Sequence, residues 1–297
     1  MKTFGFLLLM IPFFLGCEDV VDVDLPPVDE RLFVDAFFRI DASAAFTRIS
    51  LRAGVTSSFF EEIPPAELEN VLVVNLDQLD DMGNPQFIPL VENVPGLYVA
   101  QGRTSFFTFG RLVLFLSHEG QDYAATTTYV PAVPIESLVQ GDQTLFSGDE
   151  TEIVISFFDN PDRQDFYLFD FDFNEYLVSE DLFYSGQRFE FSYFYDEEVS
   201  AGQEIDVSLL GVNIGFYNYM NQLIVQSGGD QGPFQTPSAT VRGNIINVTG
   251  VDINEIDFDD LASLEDIESF DSENARERFP LGYFAVSQEF TASIVIE

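Results

Sequence analysis

The chain has 297 residues, 46% of them hydrophobic, and carries 51 acidic residues against 12 basic ones for a formal net charge of −39. Disorder is excluded, because 33 Phe and 11 Tyr supply ample apolar area to bury. A nucleic-acid partner is excluded too, since phosphate neutralisation needs clustered Lys and Arg.

The basic residues are themselves unusual. Lys2 is the only lysine, so 12 minus 1 leaves 11 Arg and no Lys beyond it. An acidic surface repels itself in dilute buffer, and salt relieves that repulsion. The composition therefore predicts adaptation to high salt.

Residues 1–16 read as an export signal. Lys2 is the positive start, and Phe4 to Leu15 form an apolar run too short to span a bilayer. No other segment has the length and apolarity of a spanning helix. Phe14-Leu15-Gly16-Cys17 resembles the lipobox of bacterial lipoproteins, with Phe14 where a Leu-like residue is usual. That resemblance implies lipidation of Cys17, the only cysteine, and a membrane partner reached through an acyl anchor. Residues 17–30 read as an acidic tether. Glu18, Asp19, Asp22 and Asp24 resemble the export signal of Bacteroidetes surface lipoproteins.

From Arg31 the pattern is strands. "RLFVDAFFRI" is rich in Phe and Val. "FTRISLRAGV" places Phe46, Ile49 and Leu51 at apolar positions and Arg48, Ser50 and Arg52 at polar ones. "NVLVVNLDQL" follows, then a turn at Gly83, Asn84 and Pro85. "QFIPLV", "GLYVAQG" and "GRLVLFLSHEGQDYAATTTYV" complete the series, the last turning at Glu119–Gly120. No helix is expected in residues 31–130. Strands every ten or so residues predict an Ig-like β-sandwich domain over residues 31–135.

"PAVPIESLVQGDQTLFSGDE" carries a domain boundary, on its prolines, glycines and acids. Residues 150–297 predict a second β-rich domain. It opens with two strands around Asp159-Asn160-Pro161. In "FYLFDFDFNEY", alternation puts Phe169, Phe171 and Phe173 on one face. "GQRFEFSYFY" and "EIDVSLLGV" read as strands. An amphipathic helix is expected near 215–227, with Phe216, Tyr219, Met220 and Leu223 on one face and Gly228 at its end. "DFDDLASLEDIESF" is a second helix candidate. "LGYFAVSQEFTASIVIE" reads as two closing strands. The fold class is all-β, with one or two short helices in the C-terminal half.

The phrases "FFDNPDRQDFYLF", "SEDLFYSGQRFEF", "GFYNYMNQL", "GPFQTPSATVRGNI" and "PLGYFAVS" resemble a Bacteroidetes envelope lipoprotein family, domain of unknown function 4249. "GNI" (Gly243 to Ile245) and "LGYF" (Leu281 to Phe284) are the sharpest. The stretch from Val251 to Ser272 matches weakly. The resemblance implies an outer-membrane lipoprotein of the cell envelope, exposed at the surface or held in the periplasm. It implies a place beside TonB-dependent transporters and no established chemistry.

The residues themselves show no catalytic constellation. His118 is the only histidine, and no Gly-x-Ser-x-Gly elbow accompanies it. Paired carboxylates are too abundant to single out a glycosidase pair, so a carbohydrate-active hydrolase stays the alternative. A structural surface component is another. Asp159, Asn160, Asp162 and Asp165 cluster in one turn as hard-oxygen candidates for calcium, as do Asp252, Asn254 and Asp257. No other cofactor is indicated. The leading expectation is a non-enzymatic protein that binds a ligand or partner, with aromatic strands from Phe166 to Tyr195 offering one possible binding face.

Overall fold

The structure is a computed structural model that describes residues 30–57, 63–145, 148, 150–195, 199–227, 240–250 and 279–297. Cys17, the tether as far as Asp29, the helix candidate at 257–270 and the cap at Gly228 lie outside them. The described chain is mostly strand, as its periodicity predicts. The first series is β1 (Leu32–Ile40), β2 (Phe46–Val55), β3 (Glu69–Leu79), β4 (Pro85–Pro89), β5 (Val91–Val94), β6 (Leu97–Arg103), β7 (Arg111–His118) and β8 (Gln121–Val130). The second is β9 (Ile135–Gln140), β10 (Thr151–Phe158), β11 (Phe166–Asp170), β12 (Tyr176–Glu180), β13 (Arg188–Tyr195) and β14 (Glu204–Val212). Helix α2 (Ile214–Ser227), β15 (Ile246–Asn247) and β16 (Leu281–Val295) close the chain. A one-turn helix, α1 (Thr104–Phe107), interrupts the first series where only strands are expected; Phe106 and Phe107 enter the core there.

Local chemistry explains most of the boundaries. Glu119 and Gly120 both adopt positive φ, 49° and 74°, which a two-residue hairpin between β7 and β8 requires. Asp80 accepts the N–H groups of Met82 and Asn84 at 2.8 Å each and so ties the β3–β4 turn. Asn213 caps α2, its side-chain oxygen accepting the Phe216 N–H at 2.8 Å. The predicted apolar stripe of α2 is real: Phe216 is buried, and Tyr219 and Met220 pack beside it.

In β2, Thr47, Ile49, Leu51 and Ala53 face inward. Period two places Phe46 with Arg48 on the outer face, so Phe46 is exposed and not part of the apolar row. Alternation also fails after Asp170. Asp172, Phe173 and Asn174 are all left-handed, at φ 66°, 50° and 62°, and together they turn β11 into β12. Phe169 and Phe171 stay buried, while Phe173 swings out to 42% exposure.

Nine strands run in the order β4-β3-β7-β8-β16-β1-β2-β6-β5, and β14, β11 and β12 extend the sheet from β16. A separate three-stranded sheet has the order β13-β10-β9. β10 and β11 flank the Asp-Asn-Pro turn yet do not pair: β10 lies in the small sheet and β11 in the large one. The turn is thus an arch between two sandwiched layers. The stretch read as a boundary contains β9, which pairs with β10.

The end of the chain departs most from expectation. Leu281–Val295 is one strand of 15 residues, not two. Its first half lies parallel to β1, from Phe33 opposite Leu281 to Ile40 opposite Gln288. Its second half lies antiparallel to β14, from Glu289 opposite Leu210 to Val295 opposite Glu204. The polar Ser287-Gln288-Glu289 step marks the change of partner. Phe284 and Val286 join the core built by β1–β8, and Ile296 joins the core between β10, β11 and β14. No single cut in the chain separates these two cores.

The most distinctive phrases meet beside this strand. Asn244 fills the gap between β8 and the start of β16. Its amide donates to Phe284 O at 2.9 Å and Thr126 O at 3.1 Å, and its oxygen accepts the Phe284 N–H at 2.8 Å. A side chain here completes a backbone ladder. Gly243 abuts the Gly282 carbonyl, and Gly282 abuts the Val34 carbonyl, each with no room for a Cβ. "GNI" and "LGYF" are packing signatures of the β1–β16–β8 junction.

Candidate functional site

β1 serves both sides of its sheet. Val34, Ala36, Phe38 and Ile40 enter the first core. Phe33, Asp35, Phe37 and Arg39 line the other face, where α2 lies across them. Phe216 of α2 meets Phe37 at 4.7 Å and Tyr283 at 5.0 Å between ring centroids. Phe33, Asp35, Arg39, Tyr176, Tyr219 and Leu223 border the groove that remains, about 210 Å³ in volume. Burial pushes the Tyr219 hydroxyl up to about 12, and the nearby Asp35 carboxylate adds to the shift. The Tyr219 phenol therefore stays protonated at neutral pH.

A second, larger hollow of about 350 Å³ opens on the far side of Phe33. Arg52, Ile63, Pro65, Val94 and Leu97 border it, and its lining is mainly apolar. Asp35 and Arg52 are directly opposed across β1 and β2, so one carboxylate and one guanidinium stand where the hollows meet. Two apolar concavities with a few convergent polar groups have the make-up of small-ligand or side-chain pockets.

Arg39 closes the groove at its other end. Its guanidinium donates to Asp170 at 2.6 Å and to Glu289 at 2.5 and 3.0 Å. Ser208 donates to the same Glu289 oxygen at 2.7 Å. One arginine thereby joins β1, β11 and β16. Residue sequence alone carried a faint sign of this face: Asp35 and Arg39 are the charges inside an apolar run, two residues either side of Phe37.

The proposed calcium residues are not brought together as a site. Asp159 and Asp165 are buried and share the Tyr167 hydroxyl, at 2.6 and 3.0 Å. Arg163 donates to Asp165 at 2.5 Å, and the Gly186 N–H donates to Asp159 at 2.8 Å. A guanidinium, a phenol hydroxyl and a backbone N–H thus occupy the carboxylates a cation would need. Asp162 is exposed, and its N–H bonds Asn160. Among the described residues no group of three His, Cys, Asp or Glu side chains could hold a metal ion. Asp252, Asn254 and Asp257 lie outside them.

This cluster locks the arch between the layers. Asp181, also buried, accepts the Asp165 N–H at 3.0 Å. Burial, reinforced by the bond to Asp159, drives the Tyr167 hydroxyl far above its ordinary value. Tyr167→Phe leaves two buried carboxylates without their common donor. Its expected cost is about 3 kcal/mol, read as a lower urea midpoint at unchanged slope.

His118 sits at the end of β7, its Nδ1 donating to the Glu67 carbonyl at 2.9 Å. It borders a polar hollow of about 340 Å³ with Glu30, Arg31, Glu119 and Asn247. Its ring bonds a carbonyl, while Ser117 donates to Asp122 at 2.6 Å. No serine–histidine pair forms. Within the aromatic strands, Tyr167, Phe169, Phe171 and Tyr195 are fully buried and belong to the core, while Phe173 and Phe183 are exposed and Tyr176 borders the groove under α2.

No described helix is long and apolar enough to cross a membrane. No curated protein matches the sequence. A family profile described as "Domain of unknown function (DUF4249)" matches residues 18–252. The match includes Asn244 and stops short of Leu281–Phe284, the strand against which Asn244 packs. Spanning most of the sequence, it shows that the chain belongs to the DUF4249 family.

Proposed function

We propose that this protein is a lipid-anchored component of the cell envelope, held to the outer membrane through Cys17. It binds a ligand or partner and takes no part in bond-making chemistry. Its place is beside a TonB-dependent transporter, as an accessory. The pair of hollows flanking Phe33 supports the binding role, because their apolar walls and the Asp35–Arg52 pair suit recognition better than catalysis. The Phe14-to-Cys17 junction supports the anchor.

Metabolic labelling with a radioactive fatty acid tests the anchor. Label is expected in the wild-type chain and absent from Cys17→Ala, which should also leave the membrane fraction. Label retained by the variant sinks the reading. For the binding role, Phe33→Glu is expected to abolish capture of the transporter complex from detergent-solubilised outer membranes while the urea midpoint holds. Equal capture by the variant removes the hollows from the function.

The same reading places the protein in a saline setting. With a net charge of −39, the melting temperature is expected to rise clearly between dilute buffer and molar KCl. A flat response in a salt series by calorimetry rejects salt adaptation.

A further inference from the structure

The acids are not spread over every face. β2 and β6 pair as Phe46 with Arg103, Arg48 with Gln101, Ser50 with Val99 and Arg52 with Leu97. These eight are outward positions, because the intervening Thr47, Ile49 and Leu51 are buried. None is acidic, in a chain with 51 acids. Arg48, Arg52 and Arg103 are all exposed. Among the described residues none of the three has a carboxylate within ion-pair distance, although Asp35 stands opposite Arg52 and feels its charge, whereas Arg39, Arg111, Arg163 and Arg188 each hold a carboxylate. Arg103 instead covers the Phe46 ring at 5.7 Å. Exposed apolar side chains share the surface: Phe46 at 54%, Val91 at 67% beside Val99, and Val94 at 50%.

We propose that this face docks on an anionic lipid surface, with the three guanidiniums at headgroup phosphates and Phe46 and Val91 at the acyl boundary. The charge argument is specific. Most of this protein is repelled by anionic lipid, and at physiological salt that repulsion fades beyond about 8 Å. The outward positions of β2 and β6 carry no acid, and Asp35 of the neighbouring β1 is matched by Arg52 opposite it, so this face can approach closer than that. Each arginine near such a surface adds to the attraction. Guanidiniums interleaved with an aromatic ring and valines match the make-up of a membrane-surface face.

The position of the chain start favours lipid over a protein partner, and this step rests on the acylation of Cys17. β1 begins at Leu32, opposite Val55 at the end of β2. The anchor segment therefore joins the fold at the border of this same face. The 14 residues from 17 to 30 reach at most about 50 Å, enough for this face to touch the membrane that holds the anchor.

The test replaces the acyl chain, so that its outcome does not depend on acylation. The mature chain with Cys17→Ala is held to vesicles by an N-terminal histidine tag on nickel-chelating lipid. A fluorophore sensitive to polarity is attached at Ser50→Cys, in the middle of the face, or at Ser192→Cys, exposed on β13 in the other sheet. On phosphatidylcholine vesicles containing phosphatidylglycerol, the label at 50 is expected to shift to the blue and the label at 192 to stay aqueous. Pure phosphatidylcholine should leave both aqueous. The variant R48E/R52E/R103E should reduce the blue-shifted fraction by about tenfold or more, and molar salt should do the same to the unaltered face. An aqueous label at 50 on the anionic vesicles overturns the proposal, as does a shift that survives charge reversal. A label shielded only on native outer membranes with their proteins, and not on lipid alone, assigns the face to an acidic protein instead and overturns it equally.

Discussion

Replacing Gly282 by alanine is expected to destroy the folded state at ordinary temperature. A Cβ there would overlap the Val34 carbonyl, and φ is +98°, a region that L side chains rarely adopt. Neither strand can retreat. β1 is paired to β16 on one side and to β2 on the other, and Val34 itself has no exposure. Overpacking and backbone strain add to more than about 4 kcal/mol. Gly243→Ala should behave alike, since its Cβ would overlap the Gly282 carbonyl. Gly120→Ala is the control. It also has positive φ but nothing within 4 Å, so only the strain of about 1 kcal/mol remains. Urea unfolding of the three variants decides the matter. Equal midpoints for Gly282→Ala and Gly120→Ala would show that the close approach is not real.

Removing the Arg39 guanidinium is the second large effect. Arg39→Ala leaves Asp170 and Glu289 facing each other's surroundings at 14% and 21% side-chain exposure, without their shared cation. The expected loss is about 3 kcal/mol, the cost of an uncompensated charge in a half-buried network. Its pH dependence is more diagnostic than its size. Burial alone would raise the Glu289 carboxyl, but the bonds from Arg39, Ser208 and Thr291 outweigh it and hold the group below its ordinary 4.5. A lowered carboxyl contributes stability above its unfolded value and loses it as pH falls through the folded value. The wild type should therefore weaken as pH drops below about 4.5. In Arg39→Ala the burial term is left in command and the carboxyl moves up. Its contribution then reverses sign, and stability falls as pH rises above that value. Urea midpoints at pH 3.5 to 6 would show the two slopes. Parallel curves would mean that Arg39 does not set the Glu289 charge.

Both effects arise at β16, and that strand shows why the sequence was only partly legible. Its alternating apolar residues announce a strand with no difficulty. What they cannot announce is that one strand serves two cores, since Ser287, Gln288 and Glu289 look like a turn when read alone. Gln288 and Glu289 are polar because the strand changes partner there, Gln288 accepting the Ala132 N–H and Glu289 holding Arg39. The acidic turn at Asp159 to Asp165 misled in a related way. Its composition suited a hard cation, yet Tyr167 and Arg163, within a few residues, already satisfied those oxygens. The candidate site was nearly invisible, because Phe33, Asp35 and Arg39 become neighbours of Tyr219 and Tyr283 only when α2 lies across β1.

Composition and local pattern by themselves determined the all-β class, the hairpin at Glu119–Gly120, the amphipathic helix at 214–227 and the family. Each depends on period, turn chemistry or short phrases, which act within a few residues. Tertiary structure alone decided which strands pair, which aromatic rings are core, which carboxylates are already spoken for and where the arginines of β2 and β6 gather. Those depend on contacts between residues as far apart as Arg39 and Glu289, and no local spacing encodes a partner 250 residues away.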